Sequence, residues 1–232
     1  MDLVRLASWL RCPTCGDDLH AVPPLVIRCD RGHSVDANKR GYATLLAPGT
    51  RVTGDTSEML AARDRFLERS HYTLLVDALV QAIAAVVGGP SGSAADAGPR
   101  FLDAGCGTGH YLRAVLDRSA GAIGLAADLS PAAVAIAVRG RRDVDGLVAD
   151  TWAGLPVRDR AADVILDVFA PRNLPEFHRV LSPADTSPSW PPGRGTWRSS
   201  APRAAPWACR RTSGSGSSRR RSPCSTPSPR RT

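Results

Sequence analysis

No stretch of this 232-residue sequence is long and apolar enough to span a bilayer. The richest, residues 74–87, is broken by Asp77 and Gln81, and it falls short of the roughly 20 residues a spanning helix needs. A secretory signal is also missing, because a cysteine pair stands where the apolar region and cleavage site would lie. The expectation is a cytoplasmic protein with no membrane partner. A third absence is hidden by the sum of charges. The formal net charge is +8, yet residues 182–232 hold ten arginines against one aspartate, a net of +9, which leaves −1 for residues 1–181. The basicity belongs to the tail and says nothing about what the remaining chain binds. This length buries one substantial core with a small satellite, which excludes a three-domain protein.

What is present divides into four segments. Residues 1–46 carry four of the six cysteines among turn residues, with little helical period, and read as a small metal-stapled module. Residues 54–87 read as a helical connector. Asp55-Thr56-Ser57-Glu58 has capping-box spacing ahead of the periodic Met59, Ala62, Phe66 and Leu67, and a second helix is predicted over 72–87. Residues 88–98, rich in Gly, Ser and Ala, read as a linker. Over 99–183 the pattern alternates: strands at 101–104, 122–127, 147–149 and 164–169, helices at 110–118, 131–139 and 174–181. Such alternation predicts an α/β fold with a parallel sheet and right-handed crossovers. Only four strands precede residue 182, so the sheet is incomplete. Residues 184–232 are Ser, Pro, Arg, Gly and Trp without period, by composition a disordered tail.

Cys12-Pro13-Thr14-Cys15 followed by Cys29 and His33 gives C-x2-C-x13-C-x3-H. Two knuckles at this spacing bring three thiolates and an imidazole to one tetrahedral Zn2+. Four protein ligands leave no position for water, so the site reads as structural. The competing reading is a set of buried reduced cysteines with a surface histidine.

Asp103-Ala104-Gly105-Cys106-Gly107-Thr108-Gly109 follows a predicted strand and opens a helix. Glycines there let the backbone approach a ligand, and the helix start favours an anionic group. The run is D-x-G-x-G-x-G and not the dinucleotide form G-x-G-x-x-G. It is similar to the first motif of class I S-adenosyl-L-methionine methyltransferases. A lone loop of this kind also occurs as an ordinary turn. Asp128 and Asp150 follow the next two predicted strands, where carboxylates can accept ribose hydroxyls and approach the adenine amino group, with Trp152 as a ring neighbour. Either alone is an ordinary solvated residue; three acids at successive strand ends mark a ligand crevice. The turn Asp167 to Asn173 leaves the fourth strand where a transferable methyl would lie, and could hold a target base by stacking.

The full order of motifs resembles the large-subunit ribosomal-RNA guanine-N1 methyltransferases. It runs through the Cys pair and Cys-x3-His, Gly-His-Ser-Val-Asp at 32–36, Gly-Tyr-Ala-Thr-Leu-Leu at 41–46, Gly54-Asp55, Ala62-Arg63, Phe66-Leu67, His71-Tyr72 and Asp103 to Gly109. Phe169-Ala170-Pro171-Arg172-Asn173 is similar to the branch conferring resistance to tylosin-like and mycinamicin-like macrolides. The resemblance implies a Rossmann-like class I sheet behind a zinc module, S-adenosyl-L-methionine and Zn2+ as cofactors, and a ribosomal RNA hairpin as partner. It implies zinc ligation by Cys12, Cys15, Cys29 and His33, and cofactor contacts from Tyr72, Gly107 and Thr108. Asp167 is the one nearby carboxylate to nominate as the base for guanine N1. A small-molecule methyltransferase and a non-catalytic zinc and RNA-binding protein are the alternatives, and a homo-oligomer stays open.

The tail carries one more reading. Codons for Pro183 onward, restarted at the third base of each, permit Gly-Gly-His-Leu, then Thr-Val-Val-Ala-Pro-Gly, then His-Leu-Ala-Glu-Leu. A Gly-Gly turn, a β-branched strand and a helix start are what the incomplete sheet needs next. The expectation is that residues after about 183 are read out of frame and that the chain as written is inactive, against the plainer reading of a disordered basic tail.

Overall fold

The computed structural model describes residues 2–47, 49, 50, 54–87 and 98–182. Apart from Gly98, the expected linker lies outside them, as does the tail from 184 with Cys209 and Cys224.

The N-terminal segment is more regular than its composition predicts. Helix α1, Leu3–Trp9, starts where the Asp2 carboxylate accepts from the Arg5 amide at 2.9 Å. It buries Leu6, Ala7 and Trp9, the i, i+1, i+3 side of a single short stripe. Three short strands and one of five residues follow: β1 His20–Val22, β2 Val26–Arg28, β3 Ser34–Asn38 and β4 Tyr42–Thr44. They form an antiparallel meander.

The connector comprises α2, Ser57–Glu68, and α3, Thr73–Val87. The α2 cap is Thr56, accepting from the Met59 amide, and not Asp55 as the capping-box spacing suggests. Asp55 is otherwise engaged: Arg63 pairs with its carboxylate at 3.0 Å, and its carbonyl accepts from the Ser130 hydroxyl. Among the described residues no single helix is long and apolar enough to cross a membrane.

Strands β5 Arg100–Ala104, β6 Ile123–Asp128, β7 Val144–Val148 and β8 Val164–Leu166 alternate with α4 His110–Leu116, α5 Pro131–Ala137 and α6 Leu174–Val180. These four strands are parallel, in the order β7-β6-β5-β8, the arrangement of a Rossmann-like methyltransferase. The fourth is shorter than the expected 164–169. Phe169 takes φ 57°, a left-handed conformation that no strand accommodates.

The sheet does not stop at β7. Strand β4 runs parallel beside it, Tyr42 opposite Gly146 and Thr44 opposite Val148, making one eight-stranded sheet from the N-terminal meander and the α/β strands. Gly146 permits the join, because a Cβ there would stand 2.6 Å from the Tyr42 Cβ and from a Val134 methyl. One face carries Leu6, Trp9, Cys12, Cys29, Leu102, Leu125, Leu147 and Phe177 in a single cluster. The other packs Leu112, Val115, Val134 and Val138 against Phe101 and Ala126.

A buried carboxylate secures α1 to this sheet. Asp145 on β7 accepts from Arg5 Nε at 2.7 Å, Arg5 Nη2 at 3.0 Å and Trp9 Nε1 at 3.1 Å. Arg100 stacks its guanidinium 4.1 Å from the Trp9 ring. A buried ion so completely paired fixes registry more than it adds stability. At the far edge, Leu181 forms a parallel bridge with Ala162, and the Ser182 amide donates to the Ala162 carbonyl at 2.8 Å. The chain is thus laid alongside the start of β8 where the described residues end.

Candidate active site and metal centre

The glycine loop leaves β5 at the C-terminal edge of the sheet, as its sequence predicts. Gly105, Gly107 and Gly109 adopt φ of 80°, 52° and 76°, which side chains other than glycine rarely take. The loop is held from below, the Gly105 and Cys106 amides both donating to the Ala127 carbonyl at 2.8 and 3.0 Å. Space is equally restrictive: a Cβ on Gly105 would meet the Ala170 methyl at 2.5 Å, so the turn after β8 lies against the loop.

The acids sit where successive strands end. Asp128 is the last residue of β6 and uses both oxygens on the backbone: Oδ2 accepts from the Gly107 amide at 2.9 Å, Oδ1 from the Ser130 amide at 2.8 Å. It therefore braces the glycine loop, and each oxygen keeps a lone pair for a further donor. Asp103, on β5, is 2% exposed. Its Oδ2, the Thr108 hydroxyl and Asp167 Oδ1 are buried without a hydrogen-bond partner. Burial, reinforced by the charges of Asp128 and Asp167, pushes the Asp103 carboxyl up to about 7. Asp167, one residue past β8, is raised by burial against the opposing pull of Arg172, whose Nε lies 3.3 Å from Oδ2. Asp150 lies two residues beyond β7, not at its end. Its Oδ1 accepts from the Trp152 amide at 2.9 Å in a local turn, and the indole is exposed.

Tyr72 precedes α3 and meets the Phe169 ring at 5.9 Å and the Phe66 ring at 5.7 Å, both edge to face. Arg63 belongs to the Ala62-Arg63 motif of the resemblance, but the sequence assigns it no role at the site. Its guanidinium pairs with Asp55 and stands about where a side chain on Gly107 would begin, 3.0 Å from that Cβ position. That motif, together with the helical period of α2 that sets Arg63 one turn before Phe66, was the available signal.

The four metal-motif residues converge. Cys12 Sγ and Cys29 Sγ lie 3.6 and 3.4 Å from His33 Nδ1, and Cys15 Sγ lies 3.7 Å from Cys29 Sγ. All four ligand atoms fall within 4.8 Å of one another. Zinc bonds of 2.3 Å to sulfur and about 2.0 Å to nitrogen give tetrahedral edges of roughly 3.5–3.8 Å, so the donor set and its spacing fit that ion. The knuckle turns are Gly16 and Gly32, at φ 79° and 87°.

The profile described as "Methyltransferase domain" matches residues 102–185. The 23S rRNA (guanine(748)-N(1))-methyltransferase of Streptomyces fradiae is 41% identical over 184 residues, covering 78% of this chain and 62% of that protein. A Micromonospora griseorubida protein named as a candidate 23S rRNA (guanine-N(1)-)-methyltransferase is 44% identical over 187 residues, covering 77% of this chain and 63% of its own. A Bacillus subtilis protein named as another candidate for that activity is 35% identical over 179 residues, 75% of this chain and 61% of its own. The chain thus spans a little over three fifths of these relatives. Over about three quarters of its own length this protein is similar in sequence to the 23S rRNA (guanine-N1)-methyltransferases, and its residues 102–185 match a methyltransferase domain.

Proposed function

We propose that this protein is an S-adenosyl-L-methionine-dependent methyltransferase acting on guanine N1 of a large-subunit ribosomal RNA hairpin, with macrolide resistance as the consequence. The observation that carries the cofactor is the trio of buried atoms without partners, Asp103 Oδ2, Thr108 Oγ1 and Asp167 Oδ1, around a left-handed glycine loop at the strand ends. Buried polar atoms cost free energy until something pairs with them, so their presence fits a polar, cationic ligand. The homologues' names supply the substrate class.

S-adenosyl-L-methionine, when bound, supplies the methyl group on a sulfonium, and the rest is positioning. Gly105, Gly107 and Gly109 would let the backbone approach it, Asp128 would accept its ribose hydroxyls, and Asp150 with Trp152 would meet the adenine. Asp103 would oppose its positive charge. Asp167 is the proton acceptor. Arg172 occupies Oδ2, which leaves Oδ1 to take the N1 proton, and burial makes the carboxylate a stronger base. Zn2+ on Cys12, Cys15, Cys29 and His33 would hold the N-terminal meander in shape for the RNA.

Methyl incorporation into 23S rRNA from cells lacking the modification, mapped to N1 of one guanine, tests this reading. Label appearing only in a small molecule would replace it. Asp128→Ala is expected to weaken S-adenosyl-L-methionine binding by about 1–3 kcal/mol, through the lost charge-assisted bonds and the loosened Gly107 amide. Calorimetry showing an unchanged affinity would remove Asp128 from the site. The tail belongs to the same proposal. If it is read out of frame, the gene carries a one-base lesion near the codon for Pro183, and repairing it gives the active enzyme. Nucleotide sequencing that finds no such lesion, with full activity from these 232 residues, decides against it.

A further inference from the structure

Helix α2 brings a cation over the glycine loop. Arg63 Nη1 stands 3.0 Å from the position a Cβ on Gly107 would take, and its side chain is half exposed. It is anchored from behind. Asp55 pairs with Nη1 at 3.0 Å, the Asp55 carbonyl accepts from the Ser130 hydroxyl at 2.7 Å, and the Ser130 amide donates to Asp128 Oδ1 at 2.8 Å. Gly54 tightens the same junction, since a Cβ there would meet the Ser130 backbone at 2.7 Å. Arg63 is thus tied to the strand end that carries Asp128, over the loop that Asp128 braces. A guanidinium has five N–H donors, so the pair with Asp55 leaves it capacity for a second anion.

Among the described residues, the other charges about the loop are acids or cations engaged elsewhere. Asp103, Asp128 and Asp167 lie close enough for the last two to add to the burial that raises the Asp103 carboxyl. Arg172 is paired with Asp167, and Arg113 donates to the Ile136 and Ala137 carbonyls of α5. A ligand carboxylate entering this setting is repelled unless a cation meets it. Tyr111 marks the meeting point: its hydroxyl is raised by burial and by Tyr72, lowered by Arg63 and raised by Asp103, so these groups gather about one ring.

We infer that Arg63, steadied by Asp55, receives the carboxylate of the cofactor's amino-acid end and makes the site selective for a ligand that carries one, an inference that rests on the S-adenosyl-L-methionine reading above. The placement follows from strand order. A nucleoside held by Asp128 and the Asp150 turn lies over β6 and β7, so the rest of the cofactor lies over the neighbouring β5 and its glycine loop. That remainder carries charges of both signs. Its ammonium and sulfonium suit Asp103, and its carboxylate suits Arg63, whose planar fork matches two carboxylate oxygens.

The test compares S-adenosyl-L-methionine with its decarboxylated analogue, each titrated calorimetrically into the full chain. A charge-assisted pair makes the parent bind the intact cofactor roughly 10- to 150-fold more tightly. Arg63→Gln keeps a polar side chain on the helix without the charge, and collapses that ratio toward one by weakening the intact cofactor alone. Arg63→Lys, a charge without the fork, keeps part of the preference. The ratio is read within one protein, so a variant that merely folds less well lowers both affinities together and leaves it unchanged. If the parent binds both ligands alike, or Arg63→Gln keeps the parent's preference, the inference is overturned while the cofactor reading stands. A parent chain that binds neither ligand overturns the S-adenosyl-L-methionine reading and this inference with it.

Discussion

The Cys12→Ala protein is expected to purify without zinc and to lose far more than its N-terminal segment. A structural zinc contributes about 10–16 kcal/mol of apparent binding free energy to folding in small modules, as much as the whole stability of an ordinary domain, about 5–15 kcal/mol. In an isolated module that loss would stay local. Here it cannot, because Cys12 and Cys29 are buried in the same cluster as Leu102, Leu125 and Leu147 of the central strands, and β4 is hydrogen-bonded to β7. Arg158 adds a tie, its Nε and Nη2 donating to the Leu10 and Ala7 carbonyls at 3.0 and 3.1 Å. Chelation of the parent and the Cys12→Ala substitution should each abolish the cooperative melt and S-adenosyl-L-methionine binding together. Metal analysis finding no zinc in the purified parent, or an unchanged melting curve for Cys12→Ala, would exclude the metal centre. A loss confined to the first 46 residues by hydrogen exchange would show the shared core to be weaker than its burial implies.

That coupling was illegible in the sequence for a physical reason. Register between β4 and β7 joins residues about a hundred positions apart, and β4, the meander strand that carries it, is three residues long, too short for an alternating pattern to emerge. Helix α1 has its signals, Asp2 as cap and Leu3, Leu6, Ala7 and Leu10 on one side. About two turns of period, next to a cysteine knuckle, do not outweigh the turn chemistry around them. Three strands of the methyltransferase sheet were legible as apolar runs, whereas β7, which runs Val144–Val148, was read at 147–149 because Asp145 and Gly146 interrupt its apolar pattern. The glycine loop was legible because positive φ at three alternate positions leaves few residue choices. Chemistry that depends on conformation was the hardest to foresee. Phe169 lies at the end of a stretch that sequence reads as strand, and its backbone is left-handed where the next residue, Ala170, lies against Gly105.

Asp103→Asn is expected to stabilise the cofactor-free protein at neutral pH while weakening its grip on S-adenosyl-L-methionine. The carboxyl is ordinarily near 3.8 and is pushed up to about 7 by burial and by Asp128 and Asp167. A carboxyl raised on folding binds its proton more tightly in the native state, so native stability falls as pH climbs through the window from about 4 to about 7. Three pH units at 1.36 kcal/mol each make the full penalty about 4 kcal/mol above pH 7. Asparagine has no charge to desolvate, and its amide can donate to the neighbouring carboxylates. The two proteins should therefore unfold at similar urea concentrations near pH 4, with the variant pulling ahead as pH rises to 8. Saturating S-adenosyl-L-methionine should reverse the order at pH 8, because its positive charge compensates the Asp103 carboxylate and gives the parent more binding free energy to add to folding. Such a crossing separates a ligand-directed carboxylate from a structural one. A structural Asp103 would leave the variant less stable at every pH, with and without the cofactor, and that result would take Asp103 out of the site.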